Sequence, residues 1–316
     1  LLVTQSGSNV YVIWEQEAGE IYFRRSVDNG ATWKPVINIT NNPGHSFEEE
    51  FAVSGSNVYV IWEQISAEGN QRDVFFKRSN DNGATWKPTV NISKTSQAYG
   101  PHIAVSGTNI HIVWESQMGQ IFMRSSTDNG ATWKPVKPVS GSGVRAFSPE
   151  IDASGSNVYV LYLKLIEDLE HQVFLDLVFV ASRDSGATLK PEVTLAKPVI
   201  GGSESIPGLD ILAIGSKVHV LWWTGNVCPH CGGGLFFHSS SNNGVTWSSI
   251  GENLNNRDRR PHVDMVSIGS NVYLVWSHQG IGEVYFLRSI NSGATWDSVK
   301  NLSENSRNSR NPQIAL

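Results

Sequence analysis

The sequence predicts an all-β fold: a six-bladed β-propeller of four-stranded antiparallel blades, forming one domain over residues 1–316. Three observations predict it. The stretch Ser26-Val27-Asp28-Asn29-Gly30-Ala31-Thr32-Trp33 returns in near-copies at Ser79 to Trp86, Ser126 to Trp133, Ser182 to Leu189, Ser240 to Trp247 and Ser289 to Trp296. Each copy follows an apolar, β-prone run such as Ile21-Tyr22-Phe23, so this box reads as a hairpin turn with a side-chain acceptor and a glycine free to take positive φ. The spacers between landmarks fall into a constant class and a variable class, as in stacked repeats whose insertions gather on one face.

The constant spacers fix the first half of each repeat. From the glycine of a Ser-Gly-Ser-Asn type turn to the next strand's aromatic the step is seven, as in Gly7 to Trp14, Gly55 to Trp62 and Gly155 to Tyr162. From the first apolar residue of the following strand to the box glycine it is nine, as in Ile21 to Gly30 and Val74 to Gly83. Between these landmarks, strand aromatic to next strand varies from seven (Trp14 to Ile21) to fifteen (Tyr162 to Leu177). Four strands per repeat follow: in the third repeat an inner strand over Pro101 to Val105, a second over Asn109 to Trp114, a third over Gln120 to Arg124 and a fourth over Pro135 to Val139. In such a meander the first and third turns share one end and the variable loops share the other, which is the expected binding face.

The repeats run approximately over 1–44, 45–96, 97–143, 144–202, 203–256 and 257–311, with 312–316 overlapping the slot of the first inner strand. Either the overlap closes the ring or the chain is cut from a longer array. Of eleven tryptophans, five sit in second strands (Trp14, Trp62, Trp114, Trp222, Trp276) and five close a box, so they are expected in core or inter-blade packing; only Trp223 is extra. The fourth repeat lacks both, having Tyr162 and Leu189.

Composition limits the function classes. Net charge is −5 with no basic stripe, which argues against nucleic acid or an anionic membrane surface, and no apolar run reaches transmembrane length. With neither an initiator Met nor a signal peptide, the sequence reads as a mature form or a fragment. Sequons at Asn38, Asn91 and Asn301 suit an extracellular or cell-surface protein, or are simply how this strand ends. No cofactor is expected.

The box pattern Ser-x-Asp-x-Gly-x-Thr-Trp, present six times between third and fourth strands, resembles the Asp-box, or bacterial neuraminidase repeat, of sialidase-like propellers across the whole chain. Asp28, Asp81, Asp128 and Asp184 become Asn242 and Asn291 in the last two copies, so the shared task is turn hydrogen bonding rather than acid or metal chemistry. The resemblance implies, for an enzyme of exo-sialidase type, an arginine cluster for the substrate carboxylate, a Tyr nucleophile activated by Glu, and an Asp acid/base. The family's Arg-Ile-Pro opening is partly matched by Arg310-Asn311-Pro312 and Arg259-Arg260-Pro261, with Arg145 as a third arginine; spacing identifies no Tyr/Glu/Asp set.

Recognition is the more economical reading. Second strands end in Glu15, Glu63 and Glu115, and inner strands open with Glu50, His102, Glu150 and His262, one residue after the proline slot, or with Tyr99 just before it. With Trp223, these are the candidate residues for binding a glycan or surface protein on the variable face. A sialidase-like hydrolase and a structural subunit of a surface assembly are the alternatives. Leu161, Leu163 and Leu165 before Glu167, with the return over Val173 to Val180, read as a hairpin arm that either mediates self-association, as the overlapping termini could, or folds back on its own propeller. Cys228-Pro229-His230-Cys231 reads as a local disulfide rather than a metal site, for zinc would lack a fourth ligand; metal and free thiols stay open.

Overall fold

Each repeat folds into one four-stranded sheet, and the computed structural model describes residues 1–16, 19–41, 44–69, 71–94, 97–167, 173–201, 208–224, 234–248, 252–255, 262–278, 282–304 and 309–315. The first sheet comprises β1 (Leu2–Ser6), β2 (Asn9–Gln16), β3 (Glu20–Ser26) and β4 (Ile37–Asn38). The second comprises β5 (His45–Ser54), β6 (Asn57–Ile65), β7 (Arg72–Ser79) and β8 (Val90–Asn91), and the third β9 (Ala98–Ser106), β10 (Asn109–Ser116), β11 (Ile121–Ser126) and β12 (Lys137–Pro138). The fourth runs β13 (Ala146–Ser154), β14 (Asn157–Glu167), β15 (Val173–Ser182) and β16 (Val193–Gly201). The fifth is β17 (Gly208–Ile214), β18 (Lys217–Thr224), β19 (Gly234–Ser240) and β20 (Glu252–Asn255); the sixth is β21 (His262–Ile268), β22 (Asn271–His278), β23 (Glu283–Ser289) and β24 (Lys300–Asn301). Strands follow one another in sheet order, and the described residues contain no helix.

The chain forms two compact units, residues 1–151 with 182–189, and residues 152–181 with 190–316. In the first unit β2 and β3 pack on β6 through Ile13, Phe23, Val60 and Trp62, and β6 and β7 pack on β10 through Ile61, Phe76, Ile112 and Trp114. In the second unit Leu221 and Phe237 pack in the same way on Leu274 and Trp276. Second strands are thus covered on both faces, which is why Val58-Tyr59-Val60-Ile61-Trp62 is a continuous apolar run rather than an alternating one. The second-strand tryptophans stack on the aromatic directly opposite, Trp62 on Phe75 at 5.9 Å and Trp276 on Tyr285 at 5.7 Å, consistent with a packing role.

The fourth strands are shorter than the sequence predicts. In the third sheet only Lys137–Pro138 pairs, against the expected 135–139, because Pro135 and Pro138 bring no amide to the ladder and the strand lies on the sheet edge. The fourth sheet is the exception. Its β16 has nine residues and accompanies β15 as far as Phe174 opposite Gly201. The expected apolar arm is therefore covered: Leu161 and Leu163 are fully buried, and the tip, 168–172, lies outside the described residues.

The box turns are built as their residue types require. In the third sheet Ser126 Oγ donates to Asp128 Oδ1 at 2.8 Å and accepts from the Gly130 amide at 2.9 Å, while Asp128 accepts from the Thr132 amide and hydroxyl at 2.9 and 2.6 Å. Asn242 and Asn291 reproduce the amide contact, accepting from Thr246 and Thr295 at 2.9 and 2.8 Å, so the turn needs the oxygen and not the charge. In five of the six boxes the amide beside the glycine bonds back to the preceding hairpin, as Asn82 does to Ser56 O at 2.8 Å and Asn129 to Thr108 O at 2.9 Å, which puts both constant turns at one end. Gly130 is required twice, by its φ of +77° and because an added Cβ would stand 2.7 Å from the Phe76 ring of the preceding sheet. The box tryptophan meets that same ring edge-on, Trp133 on Phe76 at 4.9 Å and Trp247 on Phe179 at 4.8 Å.

The missing tryptophan of the fourth repeat has a matching change opposite. Its box, at Leu189, follows a sheet in which Met123 stands where Phe23 and Phe76 stand elsewhere, with Met123 beside Gly186. A second pairing runs in parallel. Tyr59 and Tyr159 donate to box residues Asn129 and Asn243 at 2.9 Å, whereas buried His111 and His219 precede boxes with Ser185 and Ser292.

The sequon positions are occupied by hydrogen bonds that close the strand. Ser93 Oγ accepts from the Val74 amide at 3.1 Å and donates to Asp73, and Asn91 Oδ1 caps the Lys94 amide at 2.8 Å. Thr40 and Ser303 do the same for Ile21 and Val284, as does Ser140 for Ile121 in a repeat without a sequon. The hydroxyl is therefore a structural requirement of the strand end.

Two outcomes check this packing. Gly130→Ala lowers stability by about 1–3 kcal/mol in urea titration, while Gly7→Ala, with open space around its Cβ, costs roughly 1 kcal/mol or less. The Thr132 hydroxyl and the other box donors hold the Asp128 carboxyl down to about 2, so its contribution is present above the unfolded carboxylate range and lost as pH falls through 2. Asp128→Asn keeps neutral-pH stability within about 0.5 kcal/mol and flattens the loss between about pH 4 and pH 2.

Candidate ligand-binding site

At the end of the first unit opposite its box turns, the first strands do not run straight. Glu48, Gly100 and Ser148 all have φ of 52°, and the β5–β6 register shifts between Phe47 and Glu50 while the β9–β10 register shifts by Glu115. One extra residue is thus bulged out of each strand, and a bulge re-aims the side chains around it. The exposed amide this creates has an acceptor from the neighbouring sheet: Glu63 accepts from Gly100 N at 3.2 Å and Glu115 from Ser148 N at 3.4 Å. Two of the three Trp-Glu carboxylates expected to meet ligand therefore hold the bulges in place. Glu15, in the same slot of the first sheet, is exposed, and its carboxyl is pushed up by partial burial and then by Glu49.

Beyond the bulge three of the four predicted inner-strand residues converge. His102 Nδ1 stands 3.7 Å from Glu50 Oε2 and 3.5 Å from Glu150 Oε2, bridging carboxylates from the two flanking strands. Glu50 also accepts from the Ile103 amide at 2.8 Å. Glu50 is 37%, His102 34% and Glu150 28% exposed, so all three can be reached from solvent. Crowding by protein nonetheless disfavours the charged carboxylates: Glu50 is pushed up and Glu150 reaches about 8.

Beside this group is a set of which the sequence identifies only Tyr99 as a candidate. The Arg72 guanidinium lies between two aromatic rings, 4.8 Å from the centre of Phe47 and 4.9 Å from Tyr99, and its Nη1 is 2.7 Å from Glu63 Oε1. Tyr99 donates to Gln97 Oε1 at 2.6 Å. Glu63 is fully buried, and desolvation first, then neighbouring Glu48, raise its carboxyl to about 7 despite the Gly100 amide and Arg72. The signal was present: Phe47 and Tyr99 fill one slot of successive repeats, and Arg72 follows a loop lengthened to twelve.

The other candidates separate. His262 pairs opposite Ser277, the slot of Phe47 and Tyr99, because β21 runs without a bulge over its described length; Asp264, opposite Val275, holds the slot of Glu50 and His102. Counting five back from the hairpin glycine, rather than forward from the proline, identifies Glu50, His102, Glu150, Asp210 and Asp264. Asp264 accepts from Ile314 N at 2.9 Å, so the 309–315 segment lies along β21 as a further first strand would. Trp223 takes the Trp-Glu carboxylate slot in the fifth sheet, and its half-buried ring packs onto Gly208 opposite. Arg145, in the first unit, and Arg310, in the second, are exposed; Arg259, Cys228 and Cys231 lie outside the described residues. Tyr162 donates to Glu192 at 2.7 Å, but it is fully buried and its hydroxyl is shifted up, the reverse of an activated nucleophile. Among the described residues no group of three or more His, Cys, Asp or Glu side chains could hold a metal ion, and no helix could cross a membrane.

Glu63 and Glu150 hold a proton more tightly folded than unfolded. Their support for the fold is complete below the unfolded carboxylate pKa and is lost as pH rises through about 7 and about 8 respectively. Glu150→Gln therefore matches the parent protein at pH 4 and exceeds its stability by on the order of 1–2 kcal/mol at pH 9 in paired urea titrations.

No protein-family model and no curated protein matches the chain. Solved structures do. The chain is similar to polysaccharide lyase Uly1, with a TM-score of 0.66 at 9% identity over 96% of this chain and 82% of that one. It is similar to the α-L-arabinofuranosidase arb93a from Fusarium graminearum, with a TM-score of 0.51 at 12% identity over 85% of each. Against Trypanosoma rangeli sialidase in complex with the inhibitor DANA the TM-score is 0.50 at 13% identity, over 86% of this chain and 51% of that one, about half the sialidase's length. At these identities the likeness shows the fold alone, one shared by proteins whose names mark them as acting on glycans.

Proposed function

We propose that this chain is an extracellular, single-domain six-bladed β-propeller with Asp-box turns that binds a glycan at the variable-loop end of its first strands. One observation carries the reading: Glu50, His102 and Glu150 gather from three first strands next to the Phe47–Arg72–Tyr99 stack. Carboxylates and an imidazole supply acceptors and donors for sugar hydroxyls, and flat aromatic surface supplies the apolar face that a sugar ring needs. Tyr99, His102, Glu50 and Glu150 contact the ligand, while Glu63 and Glu115 support the bulges. Glu15 extends binding into the first repeat. The fold likeness to glycan-active proteins is in keeping with this reading but does not fix the sugar.

A second reading, a glycoside hydrolase, is favoured by one feature. Glu150 is a carboxyl held protonated near neutral pH with a second carboxyl, Glu50, across one imidazole, and a pair of carboxyls supplies the acid and base roles in glycoside hydrolysis. Under that reading Arg145, Arg259 and Arg310 would receive a substrate carboxylate.

A glycan array separates the readings. The binding account expects retained glycans whose signal drops at least about tenfold in Tyr99→Ala and in His102→Ala, with no release of sugar. An array blank for the folded parent protein would contradict it. Turnover of a fluorogenic sialoside lost in Arg310→Ala or Arg259→Ala would replace it with the hydrolase.

A further inference from the structure

Resting on the reading of this end of the first unit as a glycan site, we infer that it selects a sugar bearing a free amine, such as a hexosamine residue, over uronic or sialic acids. Charge and geometry carry the inference. Glu50 and Glu150 approach His102 Nδ1 from opposite flanking strands, and Glu49 and Glu115 lie on the same strand ends. The cation built into the site already has partners within the protein: Arg72 Nη1 is 2.7 Å from Glu63 Oε1 and its guanidinium is enclosed by Phe47 and Tyr99. Arg145, five residues before Glu150 in the chain, is exposed. An incoming carboxylate would find no cluster of cations among the described residues and would hold both carboxyls in their neutral form, whereas an ammonium would favour their ionisation on either side of one imidazole.

The Phe47–Tyr99 pair gives a second, independent sign. These rings and the Glu63 carboxylate form a cage that holds a guanidinium in place, so the local chemistry of this strand end already stabilises an organic cation. Because of the bulge at Gly100, Tyr99 and His102 stand only two partner-strand positions apart, about 7 Å, so a sugar next to the stack could place its amine between the two carboxylates.

The reading has a consequence that ordinary charge attraction lacks. Burial keeps a proton on Glu150 in the empty site, and Glu50 is pushed the same way. An ammonium settling between them favours the ionised form, so a proton leaves the carboxyl for solvent as the amine binds. The groups facing Glu150 here are His102 and Glu50 from the adjoining first strands.

Titration calorimetry of the intact protein tests this at pH 7 and physiological salt, with a glucosamine hexamer, its fully N-acetylated form, a galacturonate hexamer and a lysine hexamer, each in two buffers of different ionisation enthalpy. The expected result is glucosamine hexamer bound at least about tenfold more tightly than the other three, with close to one proton released. Glu150→Gln should lose both the preference and the proton release, and Asp128→Asn, in a box turn away from the site, should retain them. Tightest binding of the galacturonate or N-acetylated hexamer would overturn the inference and leave the glycan reading standing. Equal binding of the lysine hexamer, or an unchanged Glu150→Gln, would show charge attraction without a sugar site and overturn it as well. No binding by any hexamer, together with a blank glycan array, would overturn both readings.

Discussion

The structure depends on one repeated contact: a box glycine held in the left-handed region so that the preceding sheet's aromatic ring can lie against it. At Gly130 the two demands coincide, because the turn needs positive φ and Phe76 fills the space where a side chain would go. The serine hydroxyl, the Asp or Asn side chain and the threonine lock the turn, while the box tryptophan grips the same ring from its edge. The box is therefore both the end of one sheet and the surface on which the previous one rests. Where one side changes the other changes with it, as Met123 and Leu189 do.

This contact also explains the division of labour between the two ends of each sheet. The box amide is tied to the neighbouring hairpin, which fixes the length and register of both constant turns. At the other end successive sheets are also joined by backbone bonds, such as Ser46 N to Gly19 O at 2.8 Å and Ala146 N to Gly119 O at 2.6 Å, yet the loops vary and the first strands of the first unit tolerate an extra residue. The bulges there need support of their own, and Glu63 and Glu115 provide it by accepting the freed amides. The bulge is what brings Glu50 and Glu150 to His102.

The sequence disclosed the fold because its signals are periodic: a turn that needs glycine six times over, at constant distance from an aromatic strand, leaves a pattern that spacing alone exposes. The site was legible only in part. Glu50, His102 and Glu150 were found because they follow a shared slot, but His262 was grouped with them by counting from proline, and the unbulged register of β21 gives that place to Asp264. The bulge residues Glu48, Gly100 and Ser148 share a backbone conformation and no side-chain type, so no motif marks them. Glu63 and Glu115 looked like ligands because a carboxylate at a strand end is as suited to an orphan amide as to a sugar hydroxyl. Arg72 was hidden because its partners come from three strands far apart in sequence.

The central claim, that the bulged ends of the first strands are where ligand sits, is met most directly by hydrogen–deuterium exchange with and without saturating glucosamine hexamer. The account predicts new protection over Phe47 to Glu50, Tyr99 to Ile103 and Phe147 to Ile151, with the box turns unchanged. Protection confined to the box turns or to other strand edges, with those three segments exchanging as before, would contradict it.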